Sequence, residues 1–198
     1  MVMDLQTRIN EHFKQNVLLT SQLAPILAES IQQASELIAD SLLARKKVLC
    51  CGNSFCAANA QYLVSRLMGH LRFERPALSA INLSQDIQLF STMAAAQELD
   101  QVYSRQIAAL GEQQDVLFAI CFDGQSNNVI QGIKIARENG MRVIALLGGD
   151  GGEMIEALQD ADILLSVPSH EIARVQELFV LIMHCICDTV DSILLGVE

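Results

Sequence analysis

The chain has 198 residues, of which 51% are hydrophobic and only 18% charged, with no Trp and two Tyr. One domain is the default at that length, which is enough to bury a continuous core, and so lean a charged surface leaves apolar area for contacts between subunits. The net charge of −10 excludes direct binding to nucleic acid or to an anionic lipid surface, because a chain without a basic stripe repels a polyanion.

The start of the chain (Met1, Val2, Met3, Asp4) is polar and helical in character, so no signal peptide is expected. The longest apolar run, residues 178–186, is interrupted by His184 and is too short to span a bilayer. Cytoplasm is the compartment these features predict. The six cysteines (Cys50, Cys51, Cys56, Cys121, Cys185 and Cys187) form no Cys-x-x-Cys pair and mostly sit in apolar runs, which reads as buried thiols.

Residues 4–20 place Leu5, Ile9, Phe13 and Val17 at steps of four, and residues 22–45 repeat the device with Ile26, Leu27, Ile31, Ala34, Ile38 and Leu42. Pro25 suits the first turn of the second of these helices. Two amphipathic helices ahead of the first strand have no sheet to cover, so packing on a sister subunit is expected. Residues 1–198 are read as one unit, with a helical pair used in oligomerisation over 1–45 and an α/β core over 46–198.

The core opens on Val48-Leu49-Cys50-Cys51, then Gly52-Asn53-Ser54, then a helical stretch over 55–70. This is strand, turn, helix at the edge of a parallel sheet. Such a turn is either a plain tight connection or an anion pocket, since free N–H groups at a helix start favour negative charge. Further strands are predicted at 77–83, 116–121, 142–147 and 161–167, and helices at 84–96, 97–110, 128–139, up to 158, and 171–194. The alternation predicts a three-layer α/β sandwich around a five-stranded parallel sheet, flavodoxin-like in class.

Cys51-Gly52-Asn53 leading into a helix, the turn Gly124-Gln125-Ser126-Asn127-Asn128, the Asp150-Gly151-Gly152 loop and the late Arg174-Val175-Gln176-Glu177 resemble the SIS (sugar isomerase) family in its phosphoheptose isomerase branch. Glu74-Arg75-Pro76, Pro168-Ser169-His170 and Cys185-Ile186-Cys187-Asp188 resemble the subgroup of that branch that associates with the replication initiator DnaA. The isomerase resemblance implies conversion of sedoheptulose 7-phosphate to a heptose phosphate, with a glutamate and a histidine moving the proton and zinc held nearby.

That chemistry needs a His and a Glu four residues apart on the helix after the first turn, and those positions hold Tyr62 and Arg66. An arginine has no lone pair with which to take a proton or bind a metal. Gln176 and His184 remain from the other half of the site, but two ligands make a poor zinc site, so no cofactor is expected. His184 is read either as a hydrogen-bonded interior histidine or as a metal ligand. In the phosphate loops, Phe55 follows Ser54 where backbone should approach an anion. Cys121-Phe122-Asp123-Gly124-Gln125-Ser126 replaces a hydroxyl-rich loop, and Asp123 puts a carboxylate where a phosphate would sit. Asn53, Ser54, Asp123, Ser126, Gln176 and His184 are the residues of this degenerate pocket.

The resemblance and these losses together imply a non-catalytic homotetrameric adaptor that binds DnaA and promotes its assembly at the origin. Gln125, Asn127, Leu194 and Leu195 are its candidate contact residues. A phosphoheptose isomerase, or a sensor that binds a phosphosugar without converting it, is the alternative.

Overall fold

The computed structural model describes residues 4–196; residues 1–3 and 197–198, the two ends of the expected single unit, lie outside the described residues. The elements follow one another as α1 (Leu5–Leu43), β1 (Val48–Gly52), α2 (Phe55–Met68), β2 (Ala80–Asn82), α3 (Ile87–Ala95), α4 (Val102–Leu110), β3 (Val116–Cys121), α5 (Asn127–Glu138), β4 (Arg142–Gly148), α6 (Gly152–Ala157), β5 (Ile163–Val167) and α7 (Ile172–Leu195). A single 3-10 turn, Leu99–Gln101, leads into α4.

The expected five-stranded parallel sheet is present, in the order β2-β1-β3-β4-β5. Its central strands are buried on both faces, as unbroken apolar runs require. Alternate side chains serve different layers. Val48, Cys50, Val116, Phe118 and Ile120 pack with α1, α2 and α7, whereas Leu49, Cys51, Leu117, Ala119 and Cys121 pack with α4 and α5.

The chain departs from expectation at its start. One continuous 39-residue helix replaces the predicted pair, with Pro25 in its interior. An interior proline removes one backbone donor and costs about 3 kcal/mol. Pro25 lies on the exposed side, where water can serve the carbonyl left without a partner. On the other side, Leu23, Leu27, Ala34, Ile38 and Ala39 are buried against the core, which offsets the loss and leaves no reason to break. Leu5, Ile9, Phe13 and Val17 stay exposed.

β2 is shorter than predicted, three residues, because Ala77 and Ser79 are exposed at the sheet edge. α7 corrects the reading taken from residues 178–186: at 24 residues, with an 18-residue stretch of mean hydropathy 2.0, it is, by length and composition, apolar enough to cross a bilayer. Here it lies on the sheet, with Val175, Phe179, Met183, Ile186, Cys187 and Val190 fully buried.

Candidate active site

β1 pairs with β2 on one side and β3 on the other, so the chain leaves β1 into α2 on one face and leaves β3 into α5 on the opposite face. Divergence of this kind opens a crevice at the carboxyl ends of the two strands, where ligands of α/β folds bind. Asn53 and Asn128 span it by a reciprocal pair of amide bonds: Asn53 Nδ2 donates to Asn128 Oδ1 at 2.8 Å, and Asn128 Nδ2 donates to Asn53 Oδ1 at 3.0 Å. Tyr103 Oη donates to the Gly52 carbonyl at 2.5 Å and to Asn53 Oδ1 at 3.2 Å, bracing the turn from below. Burial, then the neighbouring Cys51, hold that phenol above its ordinary range.

Ser54 precedes α2 with φ +53°, a conformation that glycine adopts freely and other residues adopt at a cost of about 1–3 kcal/mol. Neither Ser54 nor Ser126 caps its helix with its side chain, and apart from the Val129 N–H, which donates to Asn128 Oδ1 at 2.9 Å, the first N–H groups of α2 and α5 suit an anion. The expected intrusion of Phe55 takes the form of an aromatic pair: its ring meets Phe122 edge-on at 5.8 Å and tilts over Phe179 at 6.5 Å. The two phosphate-side loops are thereby joined by apolar contact. Asp123 is exposed in the β3–α5 turn and accepts the Gln125 N–H at 3.1 Å. Gly124, at φ +70°, lies against the Gly151 carbonyl so closely that a Cβ there would stand 1.8 Å from its oxygen.

Two helical turns along α2, the phenol of Tyr62 meets His184 of α7, Oη to Nε2, at 2.6 Å. His184 also lines an open cleft of about 340 Å³ with Leu71, Arg72, Cys185 and Asp188, in which Arg72 pairs with Asp188 at 3.1 Å. Arg66, one turn further along α2, stacks on Tyr62 with its guanidinium carbon 5.2 Å from the ring centroid. Its Nε is buried with no hydrogen-bond partner among the described residues. Burial, then Asp191, push the Cys187 thiol up to about 12, and the nearby Arg75 and Arg66 charges pull it the other way.

Zinc, which the isomerase resemblance implies, does not fit these residues. Of the four positions in question, Tyr62 is bonded to His184, Arg66 is a fixed cation, and Gln176 lies exposed two turns before His184 on α7. No group of three His, Cys, Asp or Glu residues able to hold a metal occurs among the described residues.

The structure therefore brings together Asn53, Ser54, Asp123 and Ser126 at the crevice and pairs His184 with Tyr62, so the hydrogen-bonded reading of His184 holds for its contacts although it is only half-buried. Gln176 stands apart. Gln125 is exposed, Asn127 donates to Asp100 at 2.9 Å, Leu194 packs partly on the core, and Leu195 is exposed at the end of α7. Sequence reasoning missed Tyr103, Ser84 and Asn128. The hydroxyl of Ser84 and that of Tyr103 both reach the Gly52 carbonyl, and only an amide at the start of the helix opposite Asn53 could have signalled such bracing.

The SIS domain family model matches residues 11–148. The phosphoheptose isomerase of Aromatoleum aromaticum is 43% identical over 196 residues, 99% of either chain, and that of Thiobacillus denitrificans is 41% identical over 99% of this chain and 100% of its own. Among solved structures, the phosphoheptose isomerase of Neisseria gonorrhoeae superposes with a TM-score of 0.89 at 38% identity, and that of Francisella tularensis with 0.91 at 36%, each over 96% of this chain and 100% of the other. Full-length likeness to proteins of that name overturns the expectation of a non-catalytic DnaA adaptor. The chain belongs to the SIS-domain family, in its phosphoheptose isomerase branch.

Proposed function

We propose that the chain binds a heptose phosphate in the crevice between β1 and β3 and interconverts its ketose and aldose forms, as a phosphoheptose isomerase. The observation that carries this reading is the Tyr62–His184 bond at 2.6 Å, which couples a phenol and an imidazole at a cleft. Tyr62 lies about 10 Å along α2 from the helix start, at 1.5 Å per residue. A seven-carbon sugar whose terminal phosphate rests on the starts of α2 and α5 can bridge that separation.

Interconversion removes a proton from C1 of the ketose and returns one to C2, while a hydroxyl proton passes from O1 to O2. Atoms and electrons balance with no oxidant. The imidazole of His184 can take up and return a proton, and the phenol hydrogen-bonded to it relays protons to and from the sugar oxygens. Ser54, Ser126 and the two helix starts hold the phosphate. The exposed stripe Leu5, Ile9, Phe13 and Val17 on α1 supports assembly into a homotetramer. Free thiols at all six cysteines suit a reducing cytoplasm.

A second reading, a sensor that binds the sugar phosphate without converting it, is favoured by Arg66 where the branch has its glutamate and by Asp123 in the phosphate loop. Turnover of sedoheptulose 7-phosphate by purified protein, lost in His184→Ala, supports the isomerase. A sugar-phosphate-dependent rise in melting temperature with no turnover supports the sensor.

A further inference from the structure

Three features beside the Tyr62–His184 pair stand outside the chemistry described so far. Arg66 holds its guanidinium carbon 5.2 Å from the Tyr62 ring centroid, with its Nε buried and unpartnered among the described residues. The two aspartates near the end of α7 are engaged elsewhere, Asp188 by Arg72 and Asp191 by Arg75. One ring nitrogen of His184, Nε2, is in the bond with Tyr62. A divalent cation arriving here would sit beside a fixed positive charge and, at that nitrogen, would have to break that bond, with no carboxylate to compensate.

We propose that this chain binds its sugar phosphate without a metal ion, the Arg66 guanidinium on the Tyr62 ring serving as the fixed positive charge for the oxygens at the carbonyl end of the sugar. The proposal rests on the sugar-phosphate reading above and deepens it. A guanidinium stays charged at every working pH and offers several donors in one plane, so it can stabilise a developing enediolate oxygen while the Tyr62–His184 pair handles the proton. Stacking on Tyr62 fixes its orientation beforehand, and the unpartnered Nε is a donor awaiting an acceptor.

The test combines metal content with ligand binding. Wild-type protein is equilibrated with zinc, passed into zinc-free buffer and assayed for bound metal; none at stoichiometric level is expected, whereas Tyr62→His/Arg66→Glu, which adds an imidazole and a carboxylate beside His184, takes up zinc. Sedoheptulose 7-phosphate binding, followed by thermal shift in chelator, is expected to weaken roughly 10-fold or more in Arg66→Met and to recover in part in Arg66→Lys, as expected for loss of a charge-assisted bond. Stoichiometric zinc in the wild type, a measurement that needs no variant, overturns the proposal, and so does unchanged binding in Arg66→Met. Turnover is a separate readout: binding that is zinc-free and Arg66-dependent but without turnover removes the isomerase and leaves this site standing.

Discussion

Arg75 and Asp191 form a buried ion pair, and removing one of them gives the sharpest prediction. Their side chains are 2% and 1% exposed, and Arg75 Nε donates to Asp191 Oδ1 at 2.5 Å. The rest of the guanidinium collects the end of α2 and the following loop: its Nη atoms donate to the carbonyls of Arg66, Leu67, Gly69 and Pro76 at 2.8–3.2 Å. Asp191 Oδ2 has no partner among the described residues, so the carboxylate relies on Arg75 alone. Arg75→Met strands that buried charge, and breaking a buried pair from one side costs about 3–5 kcal/mol. For a chain of this size the loss is a drop in Tm of roughly 6–20 °C. Because Asp191 shares α7 with His184, and the guanidinium holds the carbonyl of Arg66, the Tyr62–His184 contact should loosen as well. Thermal and urea melts at one fixed protein concentration measure the effect, with Arg75→Met/Asp191→Leu as the second arm. The double variant should be more stable than Arg75→Met, since no charge is left buried. A loss under about 1 kcal/mol in Arg75→Met, or a double variant no better than the single, would refute the reasoning.

Tyr62→Phe removes the phenol hydroxyl and keeps the ring under Arg66; kcat for the heptose phosphate should fall about 10-fold or more with KM little changed, and steady-state kinetics read both. Asp123→Ser takes an exposed carboxylate out of the phosphate loop, so sugar-phosphate affinity should rise about 10-fold in a thermal-shift titration, more at low salt than at high. Gly124→Ala has no room beside the Gly151 carbonyl and demands φ +70° of a residue with a Cβ, so the protein should be less stable by at least about 2 kcal/mol in urea. Burial holds the thiols of Cys50 and Cys51 well above their ordinary range and pushes Cys56 and Cys187 up to about 12. Above about pH 9 the unfolded chain therefore releases protons that the folded chain keeps, and stability should fall as pH rises through that range, a slope that shrinks when the four become serine or alanine and whose remainder belongs to Tyr103 and Cys185. Among the six, Cys185 is only partly buried and should alkylate first under native conditions.

β1, β3 and β4 were legible because a strand buried on both faces needs an uninterrupted apolar run, and Val48 to Cys51, Val116 to Cys121 and Val143 to Leu147 supply one each. The crevice was legible for the same reason, since the turns that follow such strands fall together at one sheet edge. Pro25 misled because its compatibility with a first turn says nothing of whether a helix already runs through it. That is settled by Leu23, Leu27 and Ile38 finding the core on a single face. The Tyr62–His184 bond joins positions 122 residues apart, and no local pattern announces it. Function was the larger miss: Tyr62 and Arg66, with the changed phosphate loops around Phe55 and Asp123, read as a loss of chemistry. The structure shows Tyr62 bonded to His184 with Arg66 over its ring, and the likeness to phosphoheptose isomerases extends over 99% of the chain.

The twin amide bonds between Asn53 and Asn128 have a consequence for how a ligand enters. Because each side chain both gives and accepts, the slot between the two helices has its width set before anything docks, and widening it means rupturing both bonds at once. Entry is then closer to a coin meeting a fixed slot than to a hand closing, and a molecule cut to that gauge would gain affinity with little ordering left to be done on the protein side.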